Sequence, residues 1–218
     1  MLARVRYPSP RMPPFPQELH VADIDNLSAE DALNRLMDGN ARYISGELEH
    51  PNTSIARRDS LASGQAPFAV IVTCADSRVV PELMFDQGLG DLFVIRVAGN
   101  IVDDAVIGSI EYAVAHLGVN LVMMLGHQSC GAVGAAVAGQ PTGDFIDALI
   151  AAIAPAVDAV RDSDGDLLDN AIRANAQQSS SQLTERSTTV VGPGVAAGKV
   201  NVVPAYYALS DGSVSLVD

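Results

Sequence analysis

The chain has 218 residues, and at about 150 residues per domain this length predicts one domain with an extension. Its net charge of −13 repels phosphate groups, so binding to nucleic acids or to anionic membranes is disfavoured. Hydrophobic residues make up 48% of the chain and charged residues 18%, which excludes global disorder and predicts a globular protein with a sizeable core.

The N-terminal segment, residues 1–26, contains five prolines and lacks the apolar stretch of a secretory signal. No apolar run elsewhere approaches the ~20 residues of a membrane span, so we expect a cytoplasmic location. Proline fixes φ and removes a backbone donor, and the segment is therefore predicted to be an extended arm. It is either a disordered tail or an arm that wraps a partner subunit, and the compact domain is expected over residues 27–218.

A first helix is predicted to begin at Ser28, a favourable N-cap residue, with Asp31 three positions later as a weak capping box. Apolar residues then follow at helical spacing, namely Ala32, Leu33, Leu36, Met37 and Tyr43. A polar loop over residues 46–53 and a short helix over residues 54–62 complete the region before the first strand.

Apolar runs predict strands at residues 69–74, 92–97, 121–125 and 200–209, the last interrupted by Pro204. The first three runs are continuous rather than alternating, which is typical of strands buried on both faces. Helices are predicted over residues 102–117, 143–160 and 166–189, with Pro155 kinking or dividing the second. A turn at Asp211-Gly212 predicts an antiparallel edge strand over residues 213–217. The expected fold is α/β, with four parallel strands and one antiparallel edge strand flanked by helices.

Two strand ends carry the residues with distinctive chemistry. The first strand runs into Cys74-Ala-Asp76-Ser-Arg78, and the third into Gly126-His127-Gln-Ser-Cys130-Gly131. The carboxyl ends of parallel strands line one crevice, so these segments are expected to meet. Two thiolates and one imidazole form the Cys₂His set of a catalytic zinc site, which leaves one coordination position open.

Each residue also has an ordinary structural interpretation when it is taken alone. Cys74 can be core packing, His127 a satisfied buried polar group, and Asp76 with Arg78 a surface ion pair of little energetic value. All of them together at two strand ends favour a metal site, because the structural interpretation then requires several coincidences.

The chain resembles the β-class carbonic anhydrases, from about residue 28 to residue 218 and most densely over residues 65–135. The matching stretches are Cys74-Ala-Asp-Ser-Arg78, Phe85-Asp-Gln-Gly-Leu-Gly-Asp-Leu-Phe-Val-Ile-Arg96, Ala98-Gly-Asn100, Gly108-Ser-Ile-Glu-Tyr-Ala-Val114 and Gly126-His-Gln-Ser-Cys-Gly-Ala-Val133. The resemblance implies a zinc enzyme that reversibly hydrates carbon dioxide to bicarbonate and a proton through attack by zinc-bound hydroxide. It also implies a dimer or tetramer with active sites at the subunit interface.

Carried over position by position, the resemblance implies that Cys74, His127 and Cys130 bind zinc and that Asp76 and Arg78 form a catalytic dyad. In a closed state Asp76 could become the fourth zinc ligand. The substrate-binding residues implied are Gln65 as a hydrogen-bond donor from across the interface, Gly131 as an oxyanion donor, and Phe93, Ala98 and Tyr112 as an apolar wall.

One position departs from the family pattern, because Val97 stands where many members have Asn. Three alternative functions are compatible with the same residues. The scaffold could hydrolyse carbonyl sulfide or carbon disulfide, or it could bind zinc or bicarbonate without catalysis. A thiol redox protein with Cys130 as nucleophile beside His127 is the third.

Overall fold

The computed structural model describes residues 27–140 and 143–218, and the arm predicted over residues 1–26 lies outside them. The helices are α1 (Ala29–Ser45), α2 (Ile55–Ser60), α3 (Pro81–Met84), α4 (Asp104–Leu117), α5 (Gly131–Ala138), α6 (Asp144–Ala159), α7 (Leu167–Arg186) and α8 (Val191–Ala196). The strands are β1 (Ala69–Thr73), β2 (Leu92–Arg96), β3 (Leu121–His127), β4 (Asn201–Tyr207) and β5 (Val214–Leu216). Short 3₁₀ turns cover Leu61–Ser63 and Ala98–Asn100.

The strands form one sheet in the order β2-β1-β3-β4-β5, parallel except for the antiparallel pairing of β5 with β4. This confirms the predicted fold class. Every residue of β1 and β3 is buried, as their continuous apolar runs predicted. The same prediction was wrong for β2, which lies at the edge of the sheet and is only partly buried. Alternate residues serve opposite faces: Ile71 packs with α1 and α3, whereas Val70 and Val72 pack with α4.

The helix starts follow from their caps. The Ser28 Oγ accepts a hydrogen bond from the Asp31 N–H at 3.0 Å, which confirms the predicted start of α1. Helix α4 begins later than the apolar stripe suggested, because the Asp103 carboxylate accepts from the Val106 N–H at 2.8 Å and so caps the helix there. Val102 is buried but precedes the helix.

The predicted interruption at Pro204 was wrong, since β4 is continuous from Asn201 to Tyr207. The Pro204 carbonyl accepts from the Val217 N–H at 2.9 Å and therefore points toward β5. In a strand the N–H and C=O of one residue point to the same side, so the N–H that proline lacks would also face β5. Pro204 consequently costs the central sheet no hydrogen bond to β3.

Two helix predictions also need correction. Helix α6 is one helix from Asp144 to Ala159, so Pro155 does not divide it; Pro155 removes the hydrogen bond to the Ala151 carbonyl, and Ile153 and Val157 are buried on either side. Helix α7 ends at Arg186 rather than near residue 189. The Ser187 hydroxyl then donates to Glu111 at 2.6 Å and accepts the Val191 N–H at 2.9 Å, which starts α8 as a separate helix.

The buried side chain of Asn40 joins distant parts of the domain. Its Nδ2 donates to the backbone carbonyls of Met84 at 3.0 Å and Gly212 at 2.8 Å. Its Oδ1 accepts from the Val214 N–H at 2.9 Å, across 174 positions of sequence. Helix α1 is thereby fixed both to α3 and to the turn that leads into β5.

Within the two described ranges, no helix combines the length and the apolar character needed to cross a lipid bilayer.

Candidate metal centre

Strands β1 and β3 bring the two motifs to one edge of the sheet. Thr73, the last residue of β1, is paired with Leu125, and the Thr73 hydroxyl donates to the Leu125 carbonyl at 3.0 Å. Cys74 follows β1 directly, and His127 is the last residue of β3. Cys130 lies three residues further on, at the N-cap of α5. The parallel register therefore sets all three side chains side by side.

The two thiols and the imidazole form one buried cluster. Their candidate donor atoms all lie within 4.8 Å of one another, and the Cys74 and Cys130 sulfurs are 3.9 Å apart. Both cysteines are free, since a disulfide needs a sulfur separation of about 2.05 Å. Two thiolates on a tetrahedral zinc ion, each bond about 2.3 Å long, would be roughly 3.8 Å apart. The observed separation thus fits a shared zinc ion without rearrangement.

His127 is oriented for metal binding by its neighbour. Its Nδ1 lies 2.9 Å from the backbone carbonyl of Gln128, which can only accept a hydrogen bond, so the proton belongs on Nδ1. Its Nε2 then presents a lone pair. That atom is buried and has no hydrogen-bond partner within residues 27–140 and 143–218. A metal ion would satisfy this acceptor, as is typical of histidine ligands whose second nitrogen is held by the backbone.

The electrostatics of the cluster favour a thiolate at Cys74. The hydrogen bond from the Cys130 thiol lowers the pKa of Cys74, and the Gly99 N–H acts in the same direction against the effect of burial. The Gly99 nitrogen lies 3.3 Å from the Cys74 sulfur. The same hydrogen bond, together with burial, raises the pKa of Cys130. A cation between the two sulfurs would replace that shared proton.

Asp76 and Arg78 form a forked ion pair beside the cluster. Arg78 donates from Nε to Oδ1 at 2.9 Å and from Nη2 to Oδ2 at 2.7 Å, and its backbone N–H also donates to Oδ1. These hydrogen bonds hold the pKa of Asp76 well below its usual range. Its Oδ2 lies 3.9 Å from the His127 Nε2, so an ionised carboxylate faces the donor atoms.

The predicted substrate-binding residues are only partly brought to this cluster. Gly131, the first residue of α5, is exposed and follows Cys130 directly. Val97 packs against the hydrophobic residues that surround the two cysteines. Ala98 opens the 3₁₀ turn after β2 and is half-buried. Gln65 is exposed and precedes β1, whereas Cys74 follows it. The five-residue strand between them spans about 13 Å, which keeps Gln65 from the cluster of its own chain.

Phe93 and Tyr112 pack against each other, with ring centroids 6.4 Å apart. Phe93 on β2 is paired with Val70 on β1, and Val70 lies three residues before Thr73, the last residue of β1. It therefore lies about 10 Å from the carboxyl edge that carries the donor cluster. Like Gln65, this pair is not placed at the cluster of the same chain.

Sequence analysis did not assign a role to Arg96 or Gly99. The Arg96 guanidinium donates to the backbone carbonyls of Cys74 and Asp76, and the Gly99 N–H contacts the Cys74 sulfur. Both residues lie inside stretches that match the family pattern, and this match was the only indication in the sequence that they contribute to the site. Their contacts are with residues at least 20 positions away, so the pattern alone could not define them.

A family model described as "Carbonic anhydrase" matches residues 69–214. A carbonic anhydrase of Mycolicibacterium smegmatis is 42% identical over 195 residues, covering 88% of this chain and 94% of that protein. Carbonic anhydrase 2 of Mycobacterium tuberculosis is 41% identical over 197 residues, covering 88% and 95% respectively. The solved structure of the β-carbonic anhydrase CcaA superimposes with a TM-score of 0.67 at 25% identity, covering 85% of this chain and 95% of that one. Together with the sheet topology and the Cys-His-Cys cluster, these matches show that the chain belongs to the β-carbonic anhydrase family.

Proposed function

We propose that the protein catalyses the reversible hydration of carbon dioxide to bicarbonate and a proton, with zinc held by Cys74, His127 and Cys130. The observation that carries this proposal is the buried donor set, with sulfurs 3.9 Å apart and an unpartnered His127 Nε2 facing the Asp76 carboxylate. When bound, zinc supplies Lewis acidity, which makes water a usable nucleophile near neutral pH.

Asp76 orients the nucleophile in this proposal. An ionised carboxylate can only accept hydrogen bonds, so it selects a water or hydroxide whose O–H points toward it and whose lone pair faces the substrate. The forked contact with Arg78 keeps Asp76 ionised and fixes its plane. Arg78 also donates to the Ser129 carbonyl at 3.3 Å, which ties the dyad to the loop that carries Cys130. Rotation of Asp76 away from Arg78 would allow the closed state, in which Asp76 is the fourth ligand.

We propose that a backbone N–H at the start of α5 stabilises the negative charge of the product. The first N–H groups of a helix have no intrahelical acceptor, and Gly131 is the first residue of α5. Gly131 is exposed, and a Cβ there would meet no atom within 4 Å, so there is free space beside this residue. This N–H can therefore donate to an oxygen of the developing bicarbonate.

The remaining pocket residues require a second copy of the chain. Gln65 and the Phe93–Tyr112 pair lie away from the cluster of their own chain, so we propose that a partner subunit contributes them. Ile55 and Leu89 support such an interface, because 71% and 46% of their surfaces are exposed. They lie on one side of the domain, since the Leu89 N–H donates to the Asn52 carbonyl and the Leu89 carbonyl accepts from Arg57. The proposed arm over residues 1–26 would add to this interface.

Stopped-flow hydration of carbon dioxide, with zinc content measured on the same sample, tests the activity. His127→Asn is expected to lose both zinc and activity. His50→Asn is the matched control, because His50 is exposed and its backbone conformation (φ 50°) suits asparagine. Zinc binding without hydration, or faster turnover of carbonyl sulfide or carbon disulfide, would contradict the proposal. Reversible oxidation of the thiols in zinc-free protein as its only activity would contradict it too.

Active-site complementation tests the shared pocket. Gln65→Ala and His127→Asn are each expected to be impaired as single variants. Co-expressed, they should regain about a quarter of normal activity, because half of the dimers are mixed and each mixed dimer has one intact site. No recovery, with mixed dimers demonstrated by mass spectrometry, would show that Gln65 does not act across the interface.

A further inference from the structure

A glycine in the turn after β2 supplies a hydrogen bond to one of the candidate ligands. The Gly99 nitrogen lies 3.3 Å from the Cys74 sulfur. Gly99 has a φ of +71°, and a Cβ there would stand 2.6 Å from the Cδ1 of Ile153. The turn therefore requires glycine both for its backbone conformation and for the close approach of α6. The direction of this N–H depends on how the turn is held from outside.

Helix α7 holds the turn from behind. The Asn175 Nδ2 donates to the Gly99 carbonyl at 2.8 Å, across 76 positions of sequence. One helical turn later, the Ser179 hydroxyl donates to the next carbonyl, that of Asn100, at 3.1 Å. Both donors are 1% exposed. Asn175 thus fixes the residue whose N–H faces the sulfur, whereas Ser179 fixes a neighbour for which the described residues show no hydrogen bond to either cysteine.

The environment of Asn175 indicates that its amide donor is needed there. Among the residues that the structure describes, three buried side-chain polar atoms have no hydrogen-bond partner: the Nε2 of His127, the Oδ1 of Asn175 and the Nδ2 of Asn100. The first is explained by the proposed metal. Burying an unpaired amide oxygen is unfavourable, and an apolar side chain would avoid it. The unpaired Oδ1 of Asn175 is therefore destabilising, whereas its Nδ2 makes the hydrogen bond that holds Gly99.

We propose that Asn175 is a positioning residue for the metal centre, which holds Gly99 so that its N–H donates to the Cys74 thiolate. This inference rests on the proposed function, because it takes Cys74 as a metal ligand. A hydrogen bond to a ligating thiolate draws electron density from the sulfur and weakens its donation to the metal. With two thiolates in the set, this contact helps to retain the metal's Lewis acidity. Asn175 acts only through Gly99 and does not touch the substrate.

Cobalt(II) in place of zinc provides a readout that does not depend on activity, because thiolate ligands give a sulfur-to-cobalt charge-transfer band in the near ultraviolet. In Asn175→Ala the sulfur electrons lose the stabilising N–H, so the band should move to longer wavelength. Cobalt affinity, measured by competition with a chelator, should fall about tenfold, because Cys74 is then no longer held in place before the metal binds. Ser179→Ala is the matched control, since it removes a buried donor from the same turn and helix. Its band should stay at the position found for the unaltered protein.

The outcomes separate the two proposals. If the unaltered protein binds cobalt without a thiolate band, the ligand assignment and the proposed function fail. If that band is present but Asn175→Ala leaves it unchanged, the role of Asn175 is refuted. Equal shifts in both variants would also refute it, since they would indicate general loosening of the turn. Should Asn175→Ala fail to fold, Asn175→Ser, with a shorter donor, is expected to shift the band in the same direction, and an unchanged band would overturn the inference.

Discussion

The Arg96 Nη2 donates to the backbone carbonyl of Asp76 at 2.6 Å, so a residue at the end of β2 fixes the segment after β1. The Arg96 Nε reaches the Cys74 carbonyl at 3.2 Å, and one guanidinium therefore spans two alternate carbonyls. The segment that carries both a candidate ligand and the dyad carboxylate is thus held by its main chain. Arg78 holds only the carboxylate end of Asp76.

Arg96→Lys is expected to lower kcat/KM for carbon dioxide hydration by roughly 10- to 100-fold with zinc largely retained. A lysine ammonium is a point donor and cannot reproduce the fork that meets both carbonyls. Arg58→Lys is the matched control, since Arg58 is exposed and, among the described residues, pairs only with its neighbour Asp59. Steady-state kinetics and zinc analysis of both variants check this. Activity equal to that of the parent would show that the main chain after β1 needs no such support.

The dyad should behave as one unit. Asp76→Asn is expected to keep zinc but to lose roughly 100-fold in kcat/KM, because an amide can donate as well as accept and no longer selects one water orientation. Arg78→Ala should cost nearly as much, since it releases Asp76 to rotate toward the metal. The double variant should then be little worse than either single variant. Additive losses in a double-mutant cycle would mean that the two residues act independently.

Removal of zinc should lower the thermal stability of the protein. Binding to the folded state alone stabilises it by about 2.7 kcal/mol at a free zinc concentration 100 times the dissociation constant. The melting temperature should therefore fall on chelation and recover when zinc is added back. Cys130→Ser, which lacks one of the three proposed ligands, should show little response to either treatment. If the melting temperature of the parent protein is the same with and without zinc, this would argue against a bound ion at this cluster.

The buried carboxylate of Asp86 predicts a pH-dependent contribution to stability. Burial alone would raise the pKa of Asp86, but hydrogen bonds from the N–H groups of Glu49 and His50 and from Arg42 at 2.6 Å outweigh it, so the pKa lies below its usual value. A carboxyl with a lowered pKa stabilises the fold above its unfolded pKa of ~3.9 and loses that contribution as the pH falls through its folded pKa.

Asp86→Asn should therefore lower the free energy of unfolding by about 2 kcal/mol at pH 7. The difference from the parent should begin to shrink below about pH 4, where Asp86 takes up a proton in the unfolded parent chain while the folded carboxyl is still ionised. Asparagine also tolerates the positive φ of 47° at this position, so backbone strain does not confuse the comparison. Urea unfolding of both proteins between pH 3.5 and 7 is the test. A difference that stays constant over this range would contradict the charge argument.

Local sequence patterns predicted the sheet and the donor cluster because short segments of the chain determine both. The buried runs of β1 and β3 set the parallel sheet, and Cys74, His127 and Cys130 stand at or just beyond their ends. Helices α3 and α8 went unpredicted, since helices of four and six residues carry too little periodicity to recognise. The outcome at Pro204 depended on which neighbouring strand its missing N–H would face, and that is a property of the assembled sheet.

The contacts around the cluster were beyond local patterns for a related reason. Asn175 reaches Gly99 across 76 positions, and neither residue type by itself indicates a link to a cysteine sulfur. Gln65 presents the opposite case. Its assignment came from the family resemblance, and its exposed position before β1 directs the prediction toward a second subunit.

Asn40 has a consequence for the order in which the chain acquires its structure. The amide on α1 finds its last partner, the Val214 N–H, 174 positions later in the sequence. During synthesis α1 therefore leaves the ribosome long before the segment that satisfies Asn40, and its buried face stays incomplete until β5 has been made. This part of the domain closes late in synthesis, and until then the nascent chain must keep α1 from aggregating.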